Sequence, residues 1–453
     1  MLIRASLLSA PALQELHFEA DGGLVVEGGF ISDAGAFGAV ASRHPGLAVE
    51  DLRPFWILPG LVDLHAHLPQ YEAVAADGLE LLPWLERHIF PAEARFADLA
   101  HASATARSYL QDALSLGTTT AVLYTTIHAD ATDAIFREAE ACGIRAVIGK
   151  TMMDRNAPEA LLEDTATSLR TSEELCRTWH GRDGGRLQYA FTPRFAPSCS
   201  RELMTGAGRL ARDYGAFIQT HLAENLQELA WVHRLFPEAD HYADVYRRAD
   251  LLGARTLLGH GIHLLPPERT LLRELGCSLV HCPSSNAFLQ SGTMPLSAWL
   301  EEGLSVGLGT DVGAGPSLSM FREMGEACTA SKLRRASQQV QTARLGRVAG
   351  ITDEQKHQIA EALDLEPQPT LDAAGAFYLA TRGGARALGL GDRLGALEAG
   401  FEADFLVVDV RLSDPFGRIS PNPAQALSRL VYRSDPRLVQ QAYVRGRRCF
   451  HRD

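Results

Sequence analysis

Between Trp56 and Gly315 the chain repeats one pattern: a short apolar run, then a stretch of helical texture. The runs are "WILPGLVDLHAH", "TTTAVLYTTIH", "IRAVIGKTMMD", "RLQYAFTPRF", "AFIQTHLAEN", "RTLLGHGIHL", "CSLVHCPSSN" and "LSVGLGTDVGAG". Short strands that are nearly continuous in apolar residues are buried on both faces, as in a parallel sheet. Eight of them alternating with helices predict an α/β fold, the (β/α)8 barrel. A doubly wound open sheet is the other arrangement with a site at its strand ends, but no glycine-rich dinucleotide fingerprint is present. Polar, potentially reactive residues gather at the C-terminal ends of the runs: His65, His67, His128, Arg194, His221, His260, His281 and Asp311. In a barrel that end is the active face.

The flanks differ from this middle. "GLVVEGGFISDAG" near the start carries a Val/Ile pattern with glycine turns, and the same texture returns in "LGALEAGFEADFLVVDV" and "LVQQAYVRGRRCF". These segments predict one small β-domain made from both ends of the chain, residues 1–59 with 391–453, around a barrel at 60–390. The stretch 334–370 is polar and lacks strand texture, so a surface excursion is expected there. Thr352 and Gln355 have the spacing of a capping box for a short helix ending before Pro367.

Composition narrows the function classes. The net charge of −12 comes with no long basic run, which argues against a nucleic-acid partner. The seven cysteines are odd in number and include no Cys-x-x-Cys, which fits a reducing, cytoplasmic compartment and not a disulfide framework or cysteine zinc site. The apolar core of the N-terminus is only about five residues, shorter than a signal sequence needs. No run approaches the ~18 apolar residues of a membrane span, so no membrane partner is expected.

The chemistry starts from "DLHAH". Residues i and i+2 of a strand face the same side, so His65 and His67 aim together into the barrel mouth. With 16 histidines in 453 residues, chance gives roughly 0.6 such pairs, so the pair needs partners elsewhere. His221, ending "FIQTH", and Asp311, ending "GLGTD", supply them. Three imidazoles and a carboxylate suit Zn2+ or Fe2+, with a position left for water.

"PGLVDLHAH", "THLAEN", "GHGIHL", "HCPSSN" and "GTDVGAG", in that order, resemble the amidohydrolase superfamily of metal-dependent barrel hydrolases, and the similarity covers essentially the whole chain. The resemblance implies that the two termini build a β-sandwich. Binuclear members bridge two metals with a carboxylated lysine, for which Lys150 is the candidate by position. Glu224, three residues after His221, instead resembles the mononuclear deaminase branch, which favours a Lys150 held by neighbouring groups. That branch implies one metal per chain on His65, His67, His221 and Asp311. It also implies His260 beside the metal and Glu224 as proton shuttle, so that Glu224, Asp311 and His260 are the catalytic groups.

Within the branch, "HAHLPQYEAVAADGLELLPWLERHIFPAEARF", "FTPRFAPSCS" and "HLAEN" resemble the guanine deaminases. This implies hydrolysis of guanine to xanthine and ammonia, with guanine and water as reactants, in a homodimer. Gln70 and Arg194 would then read the polar edge of the base and Phe195 would pack against it; Trp84 and Phe90 are placed either to wall the base by stacking or to pack in the core of a helix. Another aminated heterocycle, such as a pterin, a triazine or an adenosine-type thioether, is the alternative substrate, and a non-catalytic scaffold the alternative class. The cytidine-type deaminase signature is absent, since "HCPSSN" lacks its second cysteine. His281 lies near the site without an assigned role, and His128 and His263 are read as supporting or structural.

Overall fold

All eight apolar runs form strands in the computed structural model, which describes residues 1–452. Leu61–His67, Thr118–Tyr124, Arg145–Gly149, Leu187–Pro193, Phe217–Leu222, Thr256–His260, Ser278–His281 and Ser305–Leu308 lie side by side in chain order, all parallel. A two-residue strand, Thr151–Met152, adds to the fourth. The first and second strands are buried at every position, which is why their sequences read as continuous apolar runs and not as alternation. Helices connect them around the outside, with chemically clear ends. Asp98 caps Leu99–Ser115 by accepting from the backbone of Ala100 and His101. Ser200 caps Arg201–Tyr214, which stops at Gly215 in the left-handed conformation.

The barrel closes without a regular ladder between its last and first strands. The backbone N–H of Asp311 donates to His65 O at 2.7 Å, and that of His67 donates to Val312 O at 2.6 Å. The buried Asp63 carboxylate accepts from the Thr310 backbone at 3.0 Å, the Thr310 hydroxyl at 2.6 Å and the His65 backbone at 3.2 Å. Closure therefore places Asp311 directly against the two histidines of the first strand. Glycine makes the room: a Cβ at Gly309 would lie 2.7 Å from His65 Cβ, and one at Gly259 would lie 2.6 Å from His65 Cε1.

The termini meet in a second, seven-stranded mixed sheet. It contains Leu2–Ser9, His17–Glu27, Phe30–Ala36 and Val49–Pro59 from the first segment, with Phe405–Val408, Val439–Val444 and Arg447–His451 from the last. The two ends join where Phe405–Val408 runs antiparallel to Val49–Pro59. One face of this sheet closes over its own core, including Ile3, Leu24, Ile57, Phe405 and Val407. A helix, Phe37–Arg43, interrupts the first segment, where the sequence had suggested strands only. The sheet is fastened to the barrel by Arg145, buried at the start of the third strand, which pairs with Glu402 at 2.5 Å and Asp404 at 3.1 Å.

The 334–370 stretch is more ordered than its polar sequence suggests. Its first part completes a 27-residue helix, Met320–Gly346. The capping box is present: the Gln355 backbone donates to Thr352 Oγ1 at 3.1 Å, the Thr352 backbone donates to Gln355 Oε1 at 2.8 Å, and the helix Asp353–Ala362 follows. The stretch folds back on the long helix, where Arg335 donates to Gln368 O, Gln338 to Asp364 O and Thr342 to Leu365 O. Among the described residues, no helix is long and apolar enough to cross a membrane.

Candidate active site

At the C-terminal mouth of the barrel, side chains from three strand ends and the closure segment converge. Ligand-type atoms of His65, His221, His260 and Asp311 all lie within 4.8 Å of one another. His67 joins them: its Nε2 is 3.1 Å from His221 Nε2 and 3.3 Å from Asp311 Oδ1. His65 Nε2 is also 3.3 Å from Asp311 Oδ1. All five residues are buried. Ala223, beside His221, and His260 and Asp311 themselves hold positive φ of 50°, 66° and 49°, conformations that cost energy in non-glycine residues and concentrate at functional sites.

The hydrogen bonds around the cluster decide which imidazole nitrogens face inward as lone pairs. His221 Nδ1 lies 2.7 Å from Arg194 O. A carbonyl only accepts, so Nδ1 carries the hydrogen and Nε2 keeps its lone pair. His260 Nδ1 is 2.9 Å from Asn286 Oδ1, an amide oxygen, so it too carries a hydrogen, while against the effect of burial Glu224 and Asp311 raise this imidazole's pKa and favour a second hydrogen on Nε2. Among the described residues, Nε2 of His65 and of His260 are buried without a hydrogen-bond partner, an arrangement that ordinarily requires a ligand. Burial lowers the pKa of His65, His67 and His221, keeping them neutral, which is the metal-binding form. Burial pushes Asp311 up, but its contacts with His65, His260 and His67 prevail and hold its carboxyl far below the usual range. Neutral imidazoles around an ionised carboxylate, with inward lone pairs lacking donors, fit a divalent cation of the zinc or iron type. The sequence reading put His67 on the metal and His260 beside it. In the structure His260 Nε2 sits between Asp311 Oδ2 at 3.6 Å and Glu224 Oε2 at 3.5 Å.

Glu224 follows the fifth strand on the turn at Ala223. Its backbone N–H and that of Asn225 donate to the buried carboxylate of Glu228, which also accepts from the Tyr242 hydroxyl at 2.8 Å. Burial pushes the Glu224 carboxyl up to about 7. Ser285 Oγ donates to Asp311 Oδ2 at 2.7 Å and Ser291 Oγ approaches Glu224 Oε1 at 3.4 Å.

Above the cluster lies a cleft with about 390 Å³ of empty space, lined by Gln70, Leu81, Trp84, Leu85, Arg194 and Phe195 along with His67, His221, Glu224, His260 and Asp311. The Trp84 indole is anchored by donating to Ala76 O at 2.8 Å. Phe90, a candidate second wall, is not part of this lining. Its ring lies 5.9 Å from the Arg194 guanidinium carbon and lines the neighbouring cleft instead. Lys150 is buried away from the cluster, where it pairs with Glu163 and lies 3.4 Å from Ser168 Oγ. His263 Nε2 lies 2.8 Å from Ser291 O. His128 and His281 lie outside the cleft lining, and burial brings His281 down to about 3.

Three supporting residues had no role in the sequence reading. Ser285 and Asn286 stand in "HCPSSN", and Glu93 in "FPAEARF". Glu93 is buried, accepts two bonds from Arg194 Nη1 at 2.8 and 2.7 Å, and accepts from Gln70 Nε2 at 2.8 Å. Glu93 stands among Glu86, Arg87, His88 and Arg95, so no local signal separates it from the charged residues around it.

Comparison with known proteins agrees with this geometry. A model of the amidohydrolase family matches residues 56–449. Guanine deaminase of Escherichia coli (strain K12) is 37% identical over 444 residues, 97% of this chain and 93% of that protein. The solved structure of the E. coli guanine deaminase superposes with a TM-score of 0.89 at 35% identity, covering 100% of both chains. That of a guanine deaminase from C. acetobutylicum with bound guanine in the active site gives 0.88 at 32% identity, covering 99% of both. With its barrel, its His/Asp cluster and these relatives, the chain belongs to the amidohydrolase family and, within it, to the guanine deaminases.

Proposed function

We propose that this protein hydrolyses guanine to xanthine and ammonia with one divalent metal per chain, Zn2+ by preference and Fe2+ as the alternative. The observation that carries the reading is the convergence of His65, His67, His221 and Asp311 at one cleft that Glu224, Arg194 and Gln70 also line. When bound, the metal supplies the Lewis acidity that brings a water to a pKa of about 7. Asp311, ionised and steadied by Ser285, would accept a proton from the attacking water. Glu224, with its carboxyl near 7, holds or releases a proton at neutral pH. It protonates ring N3, which makes C2 electrophilic, then carries the remaining proton of the added water to the departing amine, and the proton held by Asp311 restores it. His260, raised by Glu224 and Asp311 against the effect of burial, donates to the oxygen that develops negative charge. Such a donor is worth about 3–4 kcal/mol. The C2–N bond breaks, a C2–O bond forms, and ammonia leaves.

Arg194 and Gln70 bind the six-oxo edge of the base, with Phe195 and Trp84 packed beside it. Arg194→Ala is expected to raise KM for guanine roughly 10- to 100-fold, the loss of a charged hydrogen bond, with a smaller change in kcat. An unchanged KM in steady-state assays would remove Arg194 from the binding site. The seven free cysteines support a reducing, cytoplasmic setting, and the homodimer rests on the resemblance to the guanine deaminases. An ultraviolet assay over a heterocycle panel tests the substrate. Guanine is expected to give the highest kcat/KM, and turnover of a pterin or triazine without turnover of guanine would refute the assignment.

A further inference from the structure

We infer that Glu93 is a positioning residue that makes the cleft selective for a purine with an oxo group at C6, by fixing the donors that Arg194 and Gln70 present. The inference rests on the proposed guanine reading and adds to it a residue outside the cleft lining.

A buried carboxylate is costly unless it is paired. Glu93 is 1% exposed, and its carboxylate accepts from Arg194 Nη1 and Gln70 Nε2. Both partners line the cleft, whereas Glu93 does not. An ionised carboxylate only accepts hydrogen bonds, so the Gln70 amide must turn its nitrogen to Glu93. Its oxygen then takes the Gly313 N–H, 3.3 Å away. This settles the amide orientation that Gln70 would otherwise be free to reverse. Arg194 commits Nη1 to Glu93, leaving Nε and Nη2 for a ligand, and its charge is balanced. The pair thus offers N–H donors to the cleft, which match an acceptor such as a six-oxo oxygen and oppose a six-amino group.

The chain path gives this arrangement a second function. Glu93 lies on the helix Phe90–Ala94, immediately after the π-turn Leu85–Ile89, and the same segment supplies the cleft residues Leu81, Trp84 and Leu85. The Glu93 carboxylate therefore pins that roof segment to the fourth-strand Arg194 and to Gln70 beyond the first strand.

The test compares wild type with Glu93→Gln, using guanine as substrate and 2,6-diaminopurine as competing ligand, with metal measured in the same samples. Both purines carry the 2-amino group, while the polar edge reverses: the acceptor at C6 becomes a donor and the N1–H donor becomes an acceptor. In the variant, Gln70 keeps only the long Gly313 N–H contact, and a reversed amide that presents its oxygen to the cleft is no longer opposed by a carboxylate. The expected result is a guanine KM raised about tenfold or more, the loss expected for charge-assisted bonds. The kcat should stay within about threefold, the metal per chain should be unchanged, and the Ki for 2,6-diaminopurine should hold or fall. A guanine KM that does not move, a fall in kcat alone, or equal weakening of both purines overturns the inference. Should Glu93→Gln fail to accumulate as folded protein, Glu93→Asp keeps the charge but shortens the reach, and the same KM and Ki shifts are expected. Absence of guanine turnover in the wild type would sink the proposed function itself. Wild-type turnover with unshifted variants would sink only the role of Glu93.

Discussion

Glu224→Gln is expected to keep its metal and its KM for guanine while losing about three orders of magnitude or more in kcat. The amide preserves shape and burial but neither accepts nor releases a proton. Positioned general acid–base groups contribute typically about 10²- to 10⁴-fold. Glu224 acts twice, at N3 and at the leaving amine, which places the expected loss toward the upper end. Its environment suits proton transfer in both directions. Burial pushes its carboxyl up to about 7, so both protonation states are populated at neutral pH. Its backbone is held by Glu228 and not by the metal cluster, so the substitution leaves the ligands in place. Stopped assays with metal analysis on the same preparation check this. Near wild-type kcat in the variant, or loss of metal, would contradict the assigned role.

Removal of the metal is expected to have the largest effect of all. A chelator should bring deamination to background, and stoichiometric Zn2+ or Fe2+ should restore it. The thermal midpoint should fall in the metal-free protein and rise again on reloading, because a ligand that binds only the folded state stabilises it. The cluster explains the size of the effect. His67 and His221 direct their Nε2 atoms at each other across 3.1 Å, and Nε2 of His65 and of His260 have no hydrogen-bond partner among the described residues. Metal affinity should weaken on acidification, since protonated imidazoles cannot ligate. Full activity after exhaustive chelation, with no metal detected, would contradict the account.

The parts of this molecule that were readable in the sequence share one physical property: they follow the local period of the chain. The eight barrel strands were visible because burial on both faces leaves continuous apolar runs. His65, His67, His221 and Asp311 were visible because a parallel barrel puts the ends of such runs at one mouth. What escaped depends on contacts far apart in the chain. Glu93 meets Arg194 across about a hundred residues, and Asn286 and Ser285 reach His260 and Asp311 from the helix after the seventh strand. The long helix escaped for a different reason. Beyond Cys328 its only buried residue is Gln338, so the second half carries no apolar stripe for a periodicity argument to find. Phe90 had two readings, a wall of the base or helix core, and its ring instead lies 5.9 Å from the Arg194 guanidinium carbon and lines the neighbouring cleft.

The central claim is that water attacks C2 of guanine and displaces its amine. Turnover of guanine in 18O-enriched water, with the metal-loaded protein, tests it directly by mass spectrometry of the purine product and quantification of ammonia. The account predicts xanthine carrying one 18O at C2 and one ammonia released per xanthine formed. Unchanged guanine after prolonged incubation, or xanthine without the label, would contradict it.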